Sequence, residues 1–99
     1  MSRSILQRRL VDVSERLKRI RAELSVTEEQ LVFLEEEADD VRLRSLVAET
    51  PLADVEAREA RRHADALARH CESLRKTVQE LEQEQDLLLD RISAELSAR

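Results

Sequence analysis

The sequence predicts an all-α fold in which two long amphipathic helices fold back on each other as an antiparallel coiled-coil hairpin. Three observations carry that prediction. Apolar residues recur in alternating steps of four and three along both halves, one proline divides the halves, and blocks of opposite charge align if the chain reverses there.

The first helix is expected over about residues 3–47. Its stretch is rich in Leu, Ala, Glu, Arg and Gln, which lose little side-chain freedom in a helix. The seam runs through Leu6, Leu10, Val13, Leu17, Ile20, Leu24, Leu31, Leu34, Ala38 and Val41, with Thr27 as its polar interruption. A heptad pattern sustained over about five repeats is a strong coiled-coil signal.

The turn is placed near residues 46–52. Pro51 would break a continuing helix but suits the first turn of a new one, and Thr50, ahead of proline, is pushed out of the helical region. Thr50 therefore reads as an N-cap, with Asp54 and Glu56 near the positive end of the second helix. No glycine marks the end of the first helix.

The second helix, about 51–97, repeats the seam through Ala53, Ala57, Ala60, Ala64, Leu67, Cys71, Leu74, Val78, Leu81, Leu88 and Ile92, interrupted by Gln85. Reversal about Glu49 sets Leu6 against Ile92, Leu10 against Leu88, Leu17 against Leu81, Ile20 against Val78, Leu24 against Leu74 and Leu31 against Leu67. Thr27 then faces Cys71, and Gln85 faces Val13. Toward the turn the pairs shrink to Ala38 with Ala60, Val41 with Ala57 and Ser45 with Ala53, which permits close approach of the helices.

Charge checks the orientation independently. Residues 3–21 are mainly basic and 28–40 acidic, while 58–76 are mainly basic and 80–95 acidic. The hairpin lays basic on acidic in both halves, whereas a parallel in-register dimer would lay each block on its own copy. The flanking pairs Arg42 with Asp54, Arg44 with Glu56, Glu35 with Arg61 and Arg16 with Glu84 fit, while Arg9 with Arg91 does not. Each exposed pair contributes ~0.2 to 1 kcal/mol, so the pairs select orientation more than they stabilise. At 1.5 Å per residue, arms of about 45 residues would make a rod on the order of 65 to 70 Å long.

Composition narrows the function classes. A chain of 99 residues is expected to be a single domain spanning 1–99; glycine is absent and Phe33 is the sole aromatic, so phosphate-cradling loops and aromatic cores lack their residues. The net charge of −5 argues against nucleic acid as a partner. The basic N-terminal residues Arg3, Arg8, Arg9, Arg16, Lys18, Arg19 and Arg21 face an acidic helix in this register, with no aromatics for base stacking. The single cysteine, Cys71, forms no internal disulfide, the opening MSRSILQRRL carries no apolar signal segment, and no apolar run is long enough to span a membrane. The expected location is cytoplasmic, with no membrane partner and no small-molecule substrate.

No catalytic machinery, metal or cofactor is expected. His63 and His70 lie two turns apart, roughly 10 Å, too far for one ion, and Cys71 points into the seam. The acidic clusters 35–37 and 39–40 sit on a straight helix without a cleft to perturb them, which reads as a solvated face. No Ser/His/Asp or Cys/His arrangement has a supporting loop scaffold.

Apolar residues off the seam point to partners instead. Ile5, Val11, Val26, Val32 and Phe33 in the first helix, with Leu87, Leu89 and Leu96 in the second, exceed what the hairpin interior needs. A second hairpin, giving a four-helix assembly, or a helical partner could cover Val32, Phe33, Leu87 and Leu89. At the bend, Leu46 and Leu52 are expected to close over each other as a clasp, or else to form a docking tip with Glu49, Asp54 and Glu56.

In size and shape the hairpin resembles the small secreted WXG-type proteins, although the bend Glu49-Thr50-Pro51-Leu52 holds neither Trp nor Gly and the chain has no Tyr. It is also similar in shape to the coiled-coil arms of secondary-channel transcription factors of the Gre and DksA type, whose acidic tips enter RNA polymerase. The bend here is more apolar than acidic. Neither resemblance transfers a residue role. The expected function is a protein-interaction module, a scaffold or adaptor that forms a homodimer or docks on a helical partner. The alternative is a regulator of a large enzyme such as RNA polymerase, acting through the tip. A domain-exchanged dimer would satisfy the same facing pairs.

Overall fold

The structure, a computed structural model, describes residues 2–98. Helix α1 spans Arg3–Ala48 and helix α2 spans Pro51–Ser97; among the described residues there is no strand. The two helices pack against each other as an antiparallel hairpin. Their bounds fall within a residue of those expected from the heptad pattern and the proline.

Both helices begin the same way. The Ser2 hydroxyl accepts the Ile5 N–H at 3.4 Å, and the Thr50 hydroxyl accepts the Ala53 N–H at 3.2 Å, each satisfying an otherwise unpaired amide at a helix N-terminus. Helix α1 stops at Glu49, whose φ of 52° lies in the left-handed region. Its N–H donates to the Ser45 carbonyl at 3.0 Å, so a residue with a Cβ fills the capping position that glycine usually takes. Left-handed backbone at a non-glycine residue costs about 1 kcal/mol. Reversal of the chain offsets that cost through packing of the two seams.

The hairpin comprises two compact units: a terminal unit of residues 2–23 and 74–98, and a turn unit of residues 24–73. In the terminal unit Leu6, Val13, Leu17, Leu81 and Leu88 form a buried cluster, against which Leu10, Ile20, Val78 and Ile92 pack. Both members of the expected pairs Leu6–Ile92, Leu10–Leu88, Leu17–Leu81 and Ile20–Val78 thus belong to one core. Gln85, the polar interruption, is half-buried, and its Nε2 donates to the Ser14 hydroxyl at 3.0 Å. That bond is why an amide is tolerated at a seam position.

The turn unit has a different interior. Its buried residues are Thr27, Ala38, Ser45, Ala64 and Cys71, while Leu24, Leu31, Leu34, Val41 and Leu67 are half-buried. The Ser45 hydroxyl donates to the Arg42 carbonyl at 2.7 Å, and among the described residues no buried side-chain polar atom lacks a partner. Polar seam residues are therefore accommodated without orphaned groups.

Three local expectations are corrected. Arg61 pairs with Asp39 rather than with Glu35, and Arg44 pairs with Asp40 of its own helix at 3.1 Å rather than with Glu56. Asp40 and Arg44 stand one helical turn apart on the same face of α1, within easy reach of each other. The Leu46–Leu52 clasp does not close: both side chains are exposed, because they stand on outward positions of their helices. Arg9 and Arg91 are both exposed, so water screens the one mismatched pair of the charge pattern.

Candidate functional site

Two features of the turn unit are built around exposed apolar residues. The first surrounds Phe33, which is 65% exposed on an outer position of α1. Beside it lies an open recess of about 480 Å³ lined by Glu29, Gln30, Phe33, Leu34 and Leu67. Its floor is built from the half-buried seam leucines Leu34 and Leu67, one from each helix, and its rim is polar. A second recess of about 270 Å³ shares Leu34 and continues with Glu37, Val41, Glu56, Glu59, Ala60 and His63. One face of the turn unit thus combines an apolar socket with an acidic border. That combination suits an amphipathic helix bearing an apolar anchor and basic residues. Val32 is exposed as well, but it is one residue from Phe33 and so about 100° around the helix, toward the opposite face.

The second feature is the tip. Val47 is 87% exposed, and Leu46, Leu52 and Glu49 are exposed around it. On the face away from Phe33, a recess of about 340 Å³ is lined by Ala38, Ser45, Leu46, Asp54 and Ala57 together with Arg42, Arg58 and Arg61. The short side chains at the seam leave that recess, and the arginines make its border basic.

In the terminal unit, Leu87 and Leu89 are both exposed but are two residues apart on α2, roughly 200° around the helix. They therefore belong to opposite faces of the hairpin, and the structure does not bring them into one patch. Leu89 shares its face with Leu96, seven residues on.

The histidines build no site. His63 and His70 are exposed, whereas Cys71 is fully buried, so the three do not converge. Among the described residues no group of His, Cys, Asp or Glu is placed to hold a metal ion. A recess of about 630 Å³ along α2, lined by Glu59, Arg62, His63, Asp65, Ala66 and Arg69, is charged and lies on one helix, which makes it solvated surface. Among the described residues no helix is long and apolar enough to cross a membrane.

No family model, curated protein or solved structure matches this chain. Its surfaces are the available guide to its role. The sequence marks Phe33 as an off-seam apolar residue and Leu34 and Leu67 as seam residues; that they line one recess with Gln30 follows from how the two helices pack.

Proposed function

We propose that this chain is a non-catalytic cytoplasmic interaction module, a coiled-coil scaffold or adaptor that docks an amphipathic helix of a protein partner on the Phe33 face of its turn unit. The observation that carries this reading is the placement of the sole aromatic ring in solvent beside an apolar recess with an acidic border. Aromatic side chains gain most from burial at an interface and are unfavourable to leave wet. A photoreactive residue at Gln30, activated in the native cell, tests the reading by mass spectrometry of the cross-linked peptides. The expected product is a basic amphipathic segment of another protein, lost on Phe33→Glu. Cross-links scattered over unrelated peptides, or unchanged by Phe33→Glu, would overturn it.

The exposure of Val47, with Leu46 and Leu52 about it, supports a second reading in which the tip contacts a large enzyme such as RNA polymerase. Substituting Leu52 and Glu49 should then abolish binding in a pull-down and leave circular dichroism unchanged. Binding that survives both substitutions counts against the tip.

A further inference from the structure

The two recesses on the Phe33 face of the turn unit lie one heptad apart. Leu34 and Leu67 floor the first, and Val41 and Ala60, seven residues nearer the turn on each helix, line the second. Seven residues of helix span about 10 Å, so the two recesses, joined at Leu34, form one groove with the repeat of a coiled-coil strand. Their borders differ. Glu29 is the one acid lining the first, whereas Glu37, Glu56 and Glu59 surround the second together with His63. Neighbouring acids of α1 are engaged, Asp39 by Arg61 and Asp40 by Arg44. Among the described residues, Glu37, Glu56 and Glu59 make no ion pair. Of the basic residues nearby, Arg44 is held by Asp40, and Arg62 lies with Asp65 and Arg69 on the outer surface of α2.

We propose that this groove admits a helix of a partner protein as a third coiled-coil strand, with two apolar anchors seven residues apart and Lys or Arg flanking the anchor nearer the turn. The proposal rests on the docking reading and specifies its partner, adding a second anchor and a register. The first anchor packs beside the Phe33 ring over Leu34 and Leu67. The second recess is smaller, about 270 Å³ against about 480 Å³, so its anchor is a small or β-branched side chain. Basic residues a turn to either side of that anchor stand within reach of Glu37 on α1 and of Glu56 and Glu59 on α2, the carboxylates that the hairpin leaves uncompensated. Charge also selects another protein over a second copy. Val26 with Phe33 and Leu89 with Leu96 are exposed apolar pairs of this chain at the required spacing. The first lies among Glu23, Glu29 and Glu36, and the second holds Asp86, Asp90 and Glu95 against Arg91, so either would bring acid to acid.

Photoreactive residues at Gln30 and at Glu37, introduced one at a time in the full chain and activated in the native cell, test the proposal by the positions they label. These two sites are one heptad apart on α1, one at each recess. The expected result is one segment of one partner, labelled at positions about seven residues apart, with Lys or Arg within a turn of the Glu37 label. A synthetic peptide of that segment should bind the Glu56→Gln, Glu59→Gln variant about tenfold more weakly than the wild-type chain at low salt, and the difference should vanish in about 1 M salt. Helicity of the variant should be unchanged, because both side chains are exposed. A Glu37 label on a different segment, or at a spacing off the heptad repeat, overturns the proposal, while a Gln30 label that Phe33→Glu abolishes still upholds the docking reading. An affinity indifferent to both glutamates overturns it too. A Gln30 probe that labels no defined segment removes the docking reading and this inference with it.

Discussion

The two units of this hairpin build different interiors from one heptad pattern. In the terminal unit the buried seam is Leu6, Val13, Leu17, Leu74, Leu81 and Leu88; in the turn unit it is Thr27, Ala38, Ser45, Ala64 and Cys71. Burying a leucine fully contributes about 1.5 to 3 kcal/mol, and burying an alanine contributes much less because it hides little apolar area. The periodicity decides which positions face inward, but side-chain size decides how much each layer stabilises. Both units keep apolar side chains exposed: Val26, Val32, Phe33, Leu43, Leu46, Val47, Leu52 and Val55 in the turn unit, and Ile5, Val11, Leu87, Leu89 and Leu96 in the terminal unit.

The largest expected effect lies in the terminal core. Leu17→Ala or Leu81→Ala should each lower the unfolding free energy by ~2 to 5 kcal/mol, measured by chemical denaturation. A loss well below ~1 kcal/mol would remove the contrast, since the leucine layers would then matter no more than the alanine ones. Next comes the converse substitution in the turn unit. Ala38→Leu or Ala64→Leu should destabilise by ~1 to 3 kcal/mol, because the facing backbones leave no room for a branched side chain. A more stable variant would show that the turn unit is underpacked rather than closely packed.

Smaller effects sharpen the picture at the turn. Thr50→Ala should cost ~1 kcal/mol by removing the cap on the Ala53 amide, whereas Glu49→Gly should gain about as much by relieving left-handed backbone at a residue with a Cβ. Opposite signs in the melting temperatures of these neighbours are the expected signature. The smallest effect is electrostatic. Breaking the exposed Arg61–Asp39 pair with Asp39→Asn should cost no more than ~1 kcal/mol, and the difference should vanish in about 1 M salt.

Much of the fold was legible along the chain. Every seam residue from Leu6 to Val41 and from Ala53 to Ile92 is buried or half-buried, Thr27 and Gln85 included. Heptad spacing repeats without interruption, so errors do not accumulate, and Thr50-Pro51 marks the reversal by two independent physical signals. Candidate surfaces were less legible. The sequence supplied Phe33, Leu87 and Leu89 as unexplained apolar residues, but whether such residues share a patch depends on angles around the helix and on what the other helix contributes. Leu87 and Leu89, adjacent but for one residue, stand on opposite faces, while Val11 and Leu89, distant in sequence, stand on the same one.

The order of residues by itself determined two helices, their ends, their shared seam and their antiparallel sense, because these follow from local propensity, period and the sign of charge. Only the tertiary structure decided which arginine meets which acid, that the bend stays open, and that leucines beside alanines become the floor of a recess. Those outcomes depend on side-chain reach and on the space left between two backbones, and neither quantity is written in the spacing of residues along one chain.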